Sequence, residues 1–73
     1  MIKKEKAFRD ALILCVDHSM LFARTLARNP ADAEDLVQEA LTKAMCNWEA
    51  FELGSNLQAW LNRIVKNLFL DKM

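Results

Sequence analysis

The stretch Asn29-Pro30-Ala31-Asp32-Ala33-Glu34-Asp35-Leu36-Val37-Gln38-Glu39-Ala40 decides the fold class. It contains a helix start, an acidic first turn and the onset of an apolar stripe. A residue that precedes proline is pushed out of the α region, so Asn29-Pro30 ends any helix before it. Asp32 then serves as an N-cap, with Glu34 and Asp35 facing the positive end of the new helix dipole. Leu36, Val37, Ala40, Leu41, Ala44, Met45 and Trp48 follow at helical spacing. Asp32, Glu34, Asp35 and Glu39 are the charged residues between Asn29 and Thr42, and no base lies among them. Such a face reads as a docking surface for a basic partner, or more plainly as a solvated helix side.

Upstream, Ala7, Phe8, Ala11, Leu12, Cys15, Phe22, Thr25 and Leu26 share one helical face. This predicts a first helical block from about Lys4 to Ala27. Asp17-His18-Ser19 compete for backbone hydrogen bonds and are expected to divide it. Downstream, Glu52-Leu53-Gly54-Ser55 is the one turn-like segment with a glycine. Ser55 and Gln58 have capping-box spacing and open a third helix. Its buried face is Leu57, Trp60, Leu61, Ile64, Leu68 and Val65, and its exposed face is Arg63, Lys66, Asn67 and Lys72. No strand pattern occurs. The expected fold is all-α, a small bundle of three to four helices.

Seventy-three residues make one domain, and a chain this short buries only roughly 60% of its unfolded surface. The composition compensates: 53% of residues are hydrophobic, with one Gly and one Pro. Ten bases balance ten acids, but not evenly along the chain. Lys3, Lys4, Lys6 and Arg9 outnumber Glu5 at one end, and Arg63, Lys66 and Lys72 outnumber Asp71 at the other. A partner of one charge sign would select an end or the middle. The N-terminus is too polar for a signal peptide, and no apolar run approaches the roughly 20 residues that span a bilayer. A cytoplasmic protein without a membrane partner is expected. Cys15 and Cys46 lack metal-ligand spacing and read as small buried hydrophobes of a reducing compartment. The abrupt end at Met73 reads as a piece of a longer protein.

Catalytic chemistry is missing from the pattern. The single histidine, His18, has only Asp17 beside it, and adjacent helical residues point apart. There is no Gly-rich phosphate loop, no paired-cysteine motif and no Ser–His–Asp arrangement. The acids from Asp32 to Glu39 lack the spacing of a calcium loop. Neither an enzyme nor a metal or cofactor site is expected, which leaves binding.

The run Asp32 to Ala40, then Phe51, Gly54-Ser55-Asn56-Leu57, Ala59-Trp60-Leu61, Arg63-Ile64 and Asn67-Leu68, resembles region 2 of bacterial sigma factors. It is most similar to the extracytoplasmic-function (ECF) group, and the Gly54-Ser55-Asn56-Leu57 turn with Asn67-Leu68-Phe69 looks like its alphaproteobacterial general-stress subgroup. The resemblance covers roughly residues 11–73 and assigns 1–73 to one region 2 domain, without region 4. It implies an RNA polymerase specificity subunit. In that family, region 2 docks on the clamp helices of the β′ subunit and recognises and melts the promoter −10 element through its non-template strand.

Carried over by motif, Asp35, Leu36, Gln38, Glu39 and Leu41 would contact polymerase. Asn47, Phe51, Ile64 and Asn67 would line the pocket for a flipped −10 base, with the Gly54-Ser55-Asn56 loop beside it. Arg63 and Lys66 would hold phosphates. Phe51 and Ile64 read equally well as core residues, Asn67 as a solvated helix residue, and Trp48 and Trp60 as core. The resemblance also implies an anti-sigma partner covering the same surfaces. A different reading of the same pattern is a sigma-like mimic that binds an anti-sigma protein and never touches DNA. A generic helical structural module, without either interaction, is a third.

Overall fold

The computed structural model describes residues 2–52 and 54–73, and side chains from residue 4 onward. Three helices occur in order: α1 (Ile2–Leu26), α2 (Pro30–Cys46) and α3 (Leu57–Asp71), with a 3-10 turn at Trp48–Ala50. Among the described residues there is no strand. Each helix packs against the other two around one core. Leu12, Ala23, Ala33, Ala40, Ala44, Leu61 and Val65 at its centre are fully buried. At about 1.5–3 kcal/mol for each large side chain, this burial is the main favourable term. Four of the seven are alanines, three of them on α2.

The expected break in α1 does not occur. Asp17 and His18 are exposed within continuous helix. Ser19 is fully buried, but its hydroxyl donates to the Asn62 side-chain oxygen of α3 (2.8 Å) rather than competing for backbone groups. The buried face of α1 is therefore Phe8, Leu12, Ser19 and Ala23, with Cys15 and Leu26 half-buried. Ala7 and Thr25 point outward, contrary to expectation. The Thr25 hydroxyl is satisfied locally by the Phe22 carbonyl (2.6 Å).

Both helix starts move from their expected caps. Asn29, not Asp32, caps α2: it is held extended (φ −93, ψ 125), and its side-chain oxygen accepts from Ala31 N–H at 2.8 Å. Pro30 then occupies the first helical position, where its missing N–H costs nothing. Asp32 lies in the first turn, favourable for the dipole. At α3 the cap is Asn56, accepting from Ala59 N–H at 3.0 Å. Gln58 is not free to close a capping box with Ser55, because its amide turns to Ser19 and Asn62.

Of the expected Glu52–Ser55 turn, Leu53 lies outside the described residues. Ser55 N–H donates to the Glu52 carbonyl (3.0 Å), and Gly54 has φ +94, the one positive φ among the described residues. Glycine reaches that conformation without a Cβ penalty. An aromatic trio pins this connection. Phe51 lies 5.7 Å from Phe8 and 5.2 Å from Trp60, and Trp60 meets Phe8 edge-on at 5.8 Å. Such pairs add about 0.5–1.5 kcal/mol each beyond area burial.

Both cysteines are free thiols. Cys15 is half-buried, and burial pushes its thiol above its ordinary value. Cys46 is exposed, correcting the expectation that both are buried. It lies two residues beyond buried Ala44, and a 200° rotation puts it on the outer side. Met45 is also largely exposed.

Candidate functional site: two adjoining helix faces

Asp32, Glu34, Asp35, Gln38 and Glu39 are all exposed along α2. The opposite side is Ala33, Leu36, Val37, Ala40 and Ala44, so core packing turns the acids outward. Leu41 is half-buried at the boundary. Leu36 is 3% exposed, which corrects its assignment as a surface contact. Its side chain holds α2 in place from beneath, because it falls in the middle of the buried arc.

Linear sequence suggests that no base neutralises these acids, but the fold brings one in. Lys72, just past the end of α3, donates its ammonium to Glu39 Oε1. That hydrogen bond, with the charges of Glu39, Asp35 and Asp32, raises the Lys72 pKa above its ordinary value. Both partners are about half exposed, so water screens the pair. Nothing in the spacing of Glu39 and Lys72, 33 positions apart, announces it. Beside the pair is an open groove of about 380 Å³, floored by Leu26, Leu36 and Phe69 and rimmed by Arg28, Asp32 and Asp35.

The second face belongs to α3 and the loop before it. Arg63, Lys66 and Asn67 are exposed, opposite buried Leu61, Val65 and Leu68. Arg63 and Asn67 are one turn apart and share an outward stripe. At the helix start, Phe51, Ser55, Asn56, Trp60 and Arg63 line an open depression of about 430 Å³. It combines an aromatic wall with hydroxyl, amide and guanidinium groups, and with the Glu52 carboxylate at its edge. Phe51 is 8% exposed, so it packs in the core and offers only an edge. Trp60, assigned to the core from its phase, does both: it packs on Phe8 and Phe51 and lines the depression.

The structure does not gather the expected base pocket into one site. Ile64 and Asn67 line a separate hollow of about 150 Å³ with Lys43, Leu68 and Asp71. The reason is helical phase: Ile64 rotates toward α2, away from the loop that Phe51 occupies. Asn47 is the C-cap of α2, and its amide donates to the Lys43 carbonyl (2.9 Å). It lines neither hollow, although Lys43, to which it is bonded, lines the smaller one. Gly54 and Ser55 are exposed in the turn, and Asn56 divides its role between capping α3 and lining the larger depression.

His18 is exposed on α1. Among the described residues there is no group of three or more potential metal ligands. None of their helices is long and apolar enough to cross a membrane.

Residues 20–73 match the family model described as Sigma-70 region 2. The chain is similar to the ECF RNA polymerase sigma factor EcfG of Rhodopseudomonas palustris (strain TIE-1), at 44% identity over 63 residues. That match takes in 86% of this chain and 35% of the relative. It is 30% identical over 69 residues to the ECF RNA polymerase sigma factor SigW of Bacillus subtilis (strain 168), covering 94% of this chain and 37% of that protein. The ECF RNA polymerase sigma factor SigG of Mycobacterium tuberculosis (strain ATCC 25618 / H37Rv) is 51% identical over 42 residues, covering 58% of this chain and 11% of that protein. The chain thus spans little more than a third of the first two relatives.

Proposed function

The chain belongs to the Sigma-70 region 2 family, and from that premise we propose that it is the part of an ECF sigma factor that docks on polymerase and reads the promoter. The carboxylates of α2 grip the basic clamp helices of the β′ subunit of core RNA polymerase. The loop before α3, with the outer face of α3, holds the unpaired non-template strand of the −10 element.

The observation that carries this reading is the division of the surface. Acids predominate on the outer face of α2, with Lys43 only in its last turn, and cations with amides predominate on the outer face of α3, with Asp71 only at its end. Carboxylates at Asp35 and Glu39 accept charge-assisted bonds from arginines of a basic coiled coil. Gln38 adds a neutral amide beside them. A polymerase arginine would share Glu39 with Lys72 or displace it, at small cost for an exposed pair.

A base that leaves the stack loses a few kcal/mol, which the aromatic edges of Phe51 and Trp60 and the polar groups of Ser55 and Asn56 offset. Arg63 and Lys66 attract phosphates regardless of sequence, a contribution that weakens with salt. Asn67, in its separate hollow beside Lys43, reads a neighbouring nucleotide rather than the same flipped base. An anti-sigma protein would act by covering these two faces.

The test is calorimetric titration of the isolated β′ clamp helices into the full-length protein and its Gln38→Ala and Glu39→Lys variants. Both changes should lower affinity with no change in thermal midpoint, since both side chains are exposed. Equal affinity for all three would remove α2 as the docking face.

A further inference from the structure

The α1–α3 interface holds a set of polar bonds that joins a buried hydroxyl to two half-buried amides at the edge of the apolar core. Ser19 of α1 is fully buried. Its hydroxyl donates to Asn62 Oδ1 at 2.8 Å and accepts from Gln58 Nε2 at 2.8 Å. Gln58 Nε2 also reaches Asn62 Oδ1 at 3.1 Å. Among the described residues, no buried side-chain polar atom lacks a partner. Gln58 and Asn62 are one helical turn apart, so two successive turns of α3 are tied to a single point on α1.

We infer that Ser19, Gln58 and Asn62 are positioning residues for the nucleic-acid face, setting the rotation of α3 about its own axis. Apolar contacts are non-directional, and a helix resting on Leu61, Val65 and Leu68 can slip in rotation at little cost. A hydrogen-bond set anchored on a fully buried hydroxyl resists slipping, because a misaligned rotation strands Ser19 Oγ away from the half-buried Gln58 and Asn62 amides and from water. Buried polar groups that fix register rather than add stability are known in helical assemblies.

The position of the set matters as much as its existence. Gln58 follows the Asn56 cap by two residues, and Asn62 precedes Arg63. The rotation fixed on the inner side therefore aims Asn56, Arg63 and Asn67 on the outer side. α2 has no equivalent: its inner face is wholly apolar. The inference rests on the promoter-reading role proposed for α3, and it names residues that touch neither polymerase nor DNA.

The experiment compares the full-length protein with the triple variant Ser19→Ala/Gln58→Met/Asn62→Leu, each reconstituted with core polymerase. Transcription is measured from promoters that differ only at −10 positions. The replacement removes all partners together, so the thermal midpoint should hold or rise. The ratio between preferred and disfavoured −10 sequences should fall about threefold to tenfold, and binding to the clamp helices should not change. Amide resonances of α3 should broaden, and those of α2 should stay sharp.

A merely structural role predicts the opposite pattern, a lowered midpoint with selectivity intact, and that result overturns the inference. Intact selectivity at an unchanged midpoint overturns it as well. If the triple variant fails to fold, Gln58→Met alone is judged by the same ratio, which should again fall. Absence of −10 selectivity in the unmodified protein would instead strike at the proposed function, so the two failures are distinguishable.

Discussion

The outer faces of α2 and α3 carry opposite chemistry, and the two helices are fixed in place by different means. α2 is seated by small residues: Ala33, Ala40 and Ala44, with Leu36 and Val37, bring it close to its neighbours. Its start is set by the Asn29 cap and Pro30. α3 is seated by larger side chains and the Ser19–Gln58–Asn62 bonds, and its start by the Asn56 cap behind a glycine turn. The difference suits the two tasks proposed for them. A field of carboxylates tolerates a few degrees of rotation, because charge attraction is long-ranged and weakly directional. A helix that is to present an amide and a guanidinium to individual nucleotides, as proposed for α3, would not.

This contrast can be broken at the core. Leu61 is fully buried in α3 and Leu36 nearly so in α2. Each Leu→Ala change should cost about 2–5 kcal/mol, read as a shift in urea midpoint. Leu36→Ala is the more telling, since its family resemblance suggests a surface contact. A loss below about 1 kcal/mol would return it to the surface.

The caps sharpen the comparison at a smaller scale. Asn29→Ala and Asn56→Ala should each cost about 1 kcal/mol, whereas Ser55→Ala should change urea stability by only a few tenths. Gly54→Ala has open space for its methyl group but inherits φ +94, so about 1 kcal/mol is expected from backbone strain alone. Equal effects at Ser55 and Asn56 would restore the capping box.

Chain legibility followed the same division. The α2 stripe and its acids could be read because period and charge coincide over one uninterrupted run. The caps were displaced by three residues at α2 and by one at α3. In each case an asparagine outcompeted a neighbour that has equal intrinsic claim. The continuity of α1 could not be read, because Ser19 is silenced as a helix breaker by partners some forty positions away. Lys72 on Glu39 is the same kind of event. The candidate base pocket split for a local reason: helical phase sends Ile64 of α3 toward α2, whereas Phe51, in the extended loop after the 3-10 turn, packs on Phe8 of α1.

The cysteines provide a milder check on which sides face out. Cys46 should react with iodoacetamide faster than Cys15 at pH 8, followed by mass spectrometry. Cys15 is partly covered, and its raised pKa leaves less thiolate at that pH. Raising the pH through that pKa should narrow the gap; a faster Cys15 would mean α1 is turned differently. The smallest effect is expected at Lys72→Gln, which removes a screened pair and should leave the urea midpoint within error. On the alkaline side, the raised Lys72 pKa keeps the lysine's half of the pair fully charged below its ordinary value of 10.5, and that half is lost as pH climbs past the folded value.

The separation of tasks is tested most directly by a crossed measurement on the full-length protein with Glu39→Lys and Asn67→Ala. Each variant is assayed both for binding to core polymerase and for −10 base preference in the assembled enzyme at saturating protein. Glu39→Lys should weaken polymerase binding and leave base preference unchanged, while Asn67→Ala should do the reverse. If either substitution moved both quantities together, or each moved the one assigned to the other, the two faces would not be separate instruments.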